Sequence, residues 1–179
     1  MRNVTFQTLL TKIEADADGK RGCGFMILIF IAAIVLMAGA SIFSIYGVVF
    51  VLAFGIPALI LLIKGRKRRK KLKSRAFYIV TDTCTRKHTR NAGEEGDAYI
   101  LTFSNGLEHT LSIEDAGFAS QERNQNDDWL YDQTAVGDQF YLVYLDGDAK
   151  PIFVFPHKLC QLDTAEFEET EGKLRPKKV

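Results

Sequence analysis

Apolar residues are concentrated in one stretch of this chain and sparse elsewhere. Residues 23–63 carry no charged side chain, and the only clearly polar ones among them are Ser41, Ser44 and Tyr46. A domain core spreads its apolar positions out, whereas an unbroken run is what a lipid solvent selects. One continuous helix over this run would reach about 60 Å, twice a hydrocarbon core of roughly 30 Å. The chain is therefore expected to turn back where Gly39, Ala40, Ser41, Ser44 and Gly47 cluster. The pattern predicts a transmembrane hairpin over 23–63, with helices at about 24–43 and 47–64.

Upstream, residues 1–22 form an amphipathic segment. Phe6, Leu9, Leu10 and Ile13 recur at helical spacing against Gln7, Thr8, Lys12 and Glu14. A helix over 3–16 is expected, with Asn3 as its N-cap and Gly19 just past its end. It suits a membrane interface and a seat on the downstream domain equally.

Past residue 75 the period changes from helical to alternating. The stretch AYILTFS-NG-LEHTLSI predicts strands at 98–104 and 107–113 joined by a two-residue type I′ turn at Asn105-Gly106. That register sets Thr102 opposite His109 and Ile100 opposite Leu111. It gives one core face with Ala98, Ile100, Leu107, Leu111 and Ile113, and leaves Tyr99, Leu101 and Phe103 on the other. A second hairpin, QFYLVYL-DGDAK-PIFVF, predicts strands at 139–145 and 152–155, and 76–85 adds a fifth. Five short strands over 76–163 imply a small all-β domain, an SH3-like or OB-like antiparallel barrel or rolled sheet. Residues 114–138 are a polar insertion with room for a short helix, and its Phe118, Trp129, Leu130 and Tyr131 are expected to cap one end of the barrel. The tail, 164–179, reads as a charged, exposed end.

Charge sharpens this division. Residues 64–75 hold nine bases and no acid, while 76–163 hold 15 acids and 6 bases. The formal net charge of +1 is a cancellation of two unlike parts. Lys20 and Arg21 before the hairpin and the basic linker after it place both termini in the cytoplasm by the positive-inside rule. The expected location is an integral, multi-pass protein of a bacterial-type cell membrane. Arg66, Lys67, Arg68, Arg69, Lys70 and Lys71 are the candidate contacts for anionic lipid head groups. Nucleic acid is not an expected partner, because stacking aromatics are absent from 64–75 and the adjoining domain is acidic.

Candidate chemistry is thin. Three cysteines, Cys23, Cys84 and Cys160, are too few for a disulfide framework. Cys84-x3-His88 and His157-x2-Cys160 have zinc-like composition, but in an extended strand positions four apart lie about 13 Å from each other. They are weak metal candidates, and no cofactor or catalytic residue is assigned. Asp127-Asp128 and Asp146-Gly147-Asp148 lack a full calcium-loop pattern. His109 reads as a structural, hydrogen-bonded histidine. The stripe Tyr99, Leu101 and Phe103 is the candidate interaction surface, with cover by the 114–138 insertion as its competing fate. The leading functional expectation is a membrane-tethered, non-enzymatic interaction or ligand-sensing module that meets a protein partner or a second copy of itself. Its alternatives are an accessory subunit acting through the membrane helices, and a metal-dependent activity of the four Cys and His residues.

Overall fold

The computed structural model describes residues 2–38, 45–91, 97–120 and 126–177. It divides into two compact units, one made of Met1–Leu9 with Arg75–Val179 and the other of Leu10–Ser74.

Two helices account for the second unit. Helix α1 runs over Phe6–Ala38 and α2 over Ile45–Lys73, so each extends well beyond the apolar run. The expected turn at Gly39, Ala40, Ser41 and Ser44 lies outside the described residues, while Gly47 is already inside α2. Among the described residues no helix is long and apolar enough to cross a membrane. The transmembrane hairpin, and the multi-pass integral placement with cytoplasmic termini built on it, are thereby corrected. Each helix joins an apolar part to a charged one: Lys12, Glu14, Asp16, Asp18, Lys20 and Arg21 lie within α1, and the basic run 64–73 lies within α2, which also holds Gly55 and Pro57.

In the first unit the chain begins as a strand. Strand β1, Arg2–Val4, pairs in parallel with β7, Cys160–Leu162, which puts Asn3 opposite Gln161 instead of at a helix cap. Thr5 takes the capping role: its Oγ1 accepts from the Thr8 amide at 3.2 Å and its carbonyl from Leu9 at 3.1 Å. Phe6 and Leu9 are buried, as their spacing implies, and the helix runs on through Gly19.

Seven strands make the main sheet. Strand β2 (Phe77–Asn91) is its spine, flanked by β3 (Asp97–Phe103), β4 (Glu108–Thr110), β5 (Gln139–Leu145) and β6 (Phe153–Pro156) in the order β4-β3-β2-β5-β6. Strands β8 (Phe167–Thr170) and β9 (Lys173–Pro176) join through β9, where Leu174 faces Ile79. All pairings in this sheet are antiparallel. A bulge between Cys84 and Arg86 lets β2 serve two neighbours in turn, β5 along 77–83 and β3 from Cys84 onward. An extra residue bends and twists a strand locally, so one long strand turns a corner here.

Helices α3 (Ile113–Ala119) and α4 (Asp127–Gln133) make the unit mixed α/β, correcting the expected all-β barrel. Residues 111–113 do not continue a strand because Ser112 caps α3 in a reciprocal box with Asp115. The first hairpin differs too. Among 104–106 only Gly106 has positive φ (+80°), and Ile100 faces Thr110, Leu101 faces His109 and Thr102 faces Glu108. A type I′ turn needs positive φ at both central residues, so Asn105 with negative φ rules it out. A three-residue loop replaces it and shifts the register by one. The second hairpin pairs as its sequence implies, with Phe140 opposite Pro156 and Val143 opposite Phe153.

The charged tail is also structured. Phe167 is buried where Phe6 and Phe77 stack at 5.8 Å, its ring edge-on to Phe6 at 5.9 Å. Arg75 covers the Phe6 ring at 4.8 Å and donates to the Lys177 carbonyl. The aromatic cluster therefore ties both ends of the chain to the start of the sheet's spine. A second cluster, Phe118 against Phe153 and Phe155, seats α3 on β6.

Candidate functional site

The four Cys and His candidates do not converge. Cys84 is buried at the bulge opposite Phe103, His88 lies further along β2 opposite Ile100, and Cys160 sits on β7. The Cys160 thiol donates to the Phe118 carbonyl at 3.6 Å. The His157 ring lies flat on Tyr141, centroids 3.7 Å apart. Among the described residues no group of three or more His, Cys, Asp or Glu is arranged to hold a metal ion. Burial pushes the Cys84 thiol up, against a smaller lowering by its hydrogen bond to the Arg86 carbonyl. Such a thiol stays neutral at ordinary pH, the opposite of an activated nucleophile.

A tighter polar constellation surrounds Asp115, which is fully buried. Its Oδ2 accepts from the Ser112 amide, the Ser112 hydroxyl and His109 Nε2 at 2.8–2.9 Å, and its Oδ1 from the Val154 amide at 2.8 Å. Serine, histidine and aspartate invite a hydrolytic reading, yet the order is wrong. The carboxylate lies between the other two, so the serine proton is committed to it and no imidazole stands ready to accept it. This knot fastens α3 to β4 and β6. Its signal, Ser112-x-x-Asp115, is legible as a helix start in the sequence.

Of the expected interaction stripe, Leu101 and Phe103 are buried, Phe103 meeting Phe140 edge-on at 5.5 Å. Neither offers a surface, which corrects their assignment as contact residues. Internal cover wins because the loop at 104–106 and helices α3 and α4 roll this face inward. Tyr99 alone stays half-exposed, its ring 4.9 Å from Tyr131 of α4.

Around Tyr99 the surface is aromatic and acidic. Leu130, fully buried, anchors α4, so Asp128, Trp129, Tyr131 and Asp132 lie around that anchor and remain partly or fully exposed. Partial burial, then the negative fields of Asp128, Asp97, Asp127 and Asp132, push the Tyr99 phenol up. Lys87 underlies this face. Its ammonium sits 4.1 Å from the Tyr131 centroid and donates to the Tyr131 and Thr134 carbonyls at the end of α4. Burial lowers its pKa, and its donors are engaged in closing the helix. Beside it, desolvation works against ionising Asp138. Lys158 at 2.6 Å and the Ala135 amide outweigh that and hold its carboxyl below the usual range.

The basic run forms the last turns of α2. Arg66, Lys67 and Lys70 are exposed and Lys71 is partly so, whereas the side chains of Arg68 and Arg69 lie outside the described residues. In comparisons with family models, curated proteins and solved structures, the chain matches none.

Proposed function

We propose that the mixed α/β unit is a non-enzymatic interaction module that binds a Lys/Arg-rich protein segment on the face formed by Tyr99 and Tyr131. The observation that carries this reading is the Tyr99–Tyr131 pair, 4.9 Å apart and surrounded by Asp97, Asp127, Asp128 and Asp132. Aromatic faces attract cations, and surrounding carboxylates add steering and register. Lys87 against the Tyr131 ring is an internal instance of the same contact.

Trp129 is the only tryptophan of the chain and belongs to α4, the helix that carries Tyr131, so its fluorescence reports on that helix. The test titrates the full chain with a peptide of the sequence KGRKRRKKLKSR, and with a version in which Gln replaces every base. A saturable, salt-sensitive change with the basic peptide only is expected. Exposed charges are worth about 0.2–1 kcal/mol each, so an Asp128→Asn, Asp132→Asn double variant should weaken binding by about two- to thirtyfold. Equal responses to both peptides, or a double variant that binds like the parent, would remove this reading.

A further inference from the structure

Strand β2 carries a second feature, on the sheet face opposite Lys87 and Leu101. Residues paired directly across an antiparallel ladder share a face, and alternate residues return to it. Arg86 pairs with Thr102, His88 with Ile100 and Arg90 with Ala98, so these six side chains lie together. Strand β4 adds Glu108 beside Thr102 and Thr110 beside Ile100.

Two polar atoms on this face are buried and have no hydrogen-bond partner among the described residues: His88 Nδ1 and Thr102 Oγ1. Buried polar groups are nearly always satisfied, and an orphan calls for an explanation. Here the two belong to diagonal neighbours on adjacent strands, about 7 Å apart at the backbone. Arg86 and Arg90 flank them on β2, both exposed and neither in an ion pair among the described residues. Glu108 stands at the Thr102 end, which leaves the His88–Arg90 end the more positive.

We propose that this face is a binding site for a phosphate group, with His88 Nδ1–H and Thr102 Oγ1–H as inner donors and Arg86 and Arg90 as outer cations. A tetrahedral oxyanion accepts several donors at once. Guanidinium groups supply the charge-assisted hydrogen bonds that favour phosphate. No bond is made or broken, and the role is recognition. The site is separate from the acidic face around Tyr99, and the two readings stand or fall independently.

The experiment titrates the full chain with inorganic phosphate and with a simple phosphate monoester, following the ring nitrogens of His88 by NMR. A saturable shift that selects the Nδ1–H tautomer is expected. The tighter of the two probes distinguishes free phosphate from a phosphorylated small molecule. Thr102→Val is the sharper test because it should act in opposite directions. Removing an orphaned buried hydroxyl should raise Tm, while phosphate affinity falls about tenfold, the loss of one charge-assisted hydrogen bond. His88→Asn, which keeps a donor near the Nδ1 position, should bind, and His88→Leu should not. The proposal is overturned if His88 is unmoved by millimolar phosphate, if Thr102→Val keeps the parent affinity, or if His88→Leu binds as well as His88→Asn.

Discussion

Thr170 lies directly opposite Lys173, and the two residues between them, Glu171 and Gly172, both have positive φ, 55° and 69°. This is the two-residue arrangement of a type I′ hairpin, whose twist matches that of the flanking strands. Glu171 holds a conformation that an ordinary side chain resists. Glu171→Asn should therefore stabilise the chain by about 0.5–1 kcal/mol, raising Tm by a few degrees. A Cβ at Gly172 would meet nothing within 4 Å, so Gly172→Ala should lose about 1–2 kcal/mol to backbone strain alone. Thermal melts of both variants check the pair, and a destabilised Glu171→Asn would contradict the argument.

Asp115 should be the most sensitive polar position of the mixed α/β unit. Its carboxylate receives four hydrogen bonds from Ser112, His109 and Val154 in a fully buried setting. Asp115→Ala leaves those donors unsatisfied and should cost about 3–5 kcal/mol. Ser112→Ala removes one cap and should cost about 1 kcal/mol. Urea denaturation of the two variants gives the comparison. A loss at Asp115 no larger than that at Ser112 would contradict the central role of the carboxylate.

His157 makes stability depend on pH. Burial holds its imidazole below the ordinary value near 6.5, so the unfolded chain takes up a proton more readily than the folded one. Its contribution is complete above about pH 6.5 and is lost as pH falls through the depressed folded value. Between about pH 7.5 and 5.5 the parent Tm should therefore fall more steeply than that of His157→Gln. Parallel curves for the two proteins would assign the pH dependence to other groups.

The exposed cations of α2 lead to a proposal about surface charge, distinct from any crossing of a bilayer. Arg66, Lys67 and Lys70 face solvent, and each base near an anionic surface is worth about 1 kcal/mol. The full chain should float with vesicles containing anionic lipid more than with neutral ones, and salt should abolish the difference. Changing these three residues to Gln should remove most of it. Equal flotation with both vesicle types would leave the run with no head-group role.

Local rules made part of the architecture legible in advance. The continuous apolar runs in QFYLVYL and PIFVF marked β5 and β6, because a strand with apolar residues on both sides has no stable place outside a covered sheet. The spacing of Phe6, Leu9 and Ile13 marked the buried side of α1 near its start. The one type I′ signal singled out in the sequence was overruled by tertiary packing. Asn105-Gly106 is the stronger type I′ dipeptide, yet the left-handed pair occurs at Glu171-Gly172. There the aromatic contact of Phe167 with Phe6 and Phe77 holds β8 and β9 in place.

The candidate surface was the least legible part. Tyr99, Leu101 and Phe103 have the same alternation and similar hydrophobicity, but only Tyr99 remains available. What separates them is α4, anchored by Leu130, and a one-residue loop difference at 104–106. Neither shows in the periodicity of β3. The sequence by itself determined where charge lies and which segments are apolar, because these depend on neighbours within a few positions. Tertiary structure alone decided which face of β3 is covered and which polar atoms of β2 and β3 have no partner among the described residues. Each of those depends on side chains brought together from distant parts of the chain, and local propensity carries no information about them.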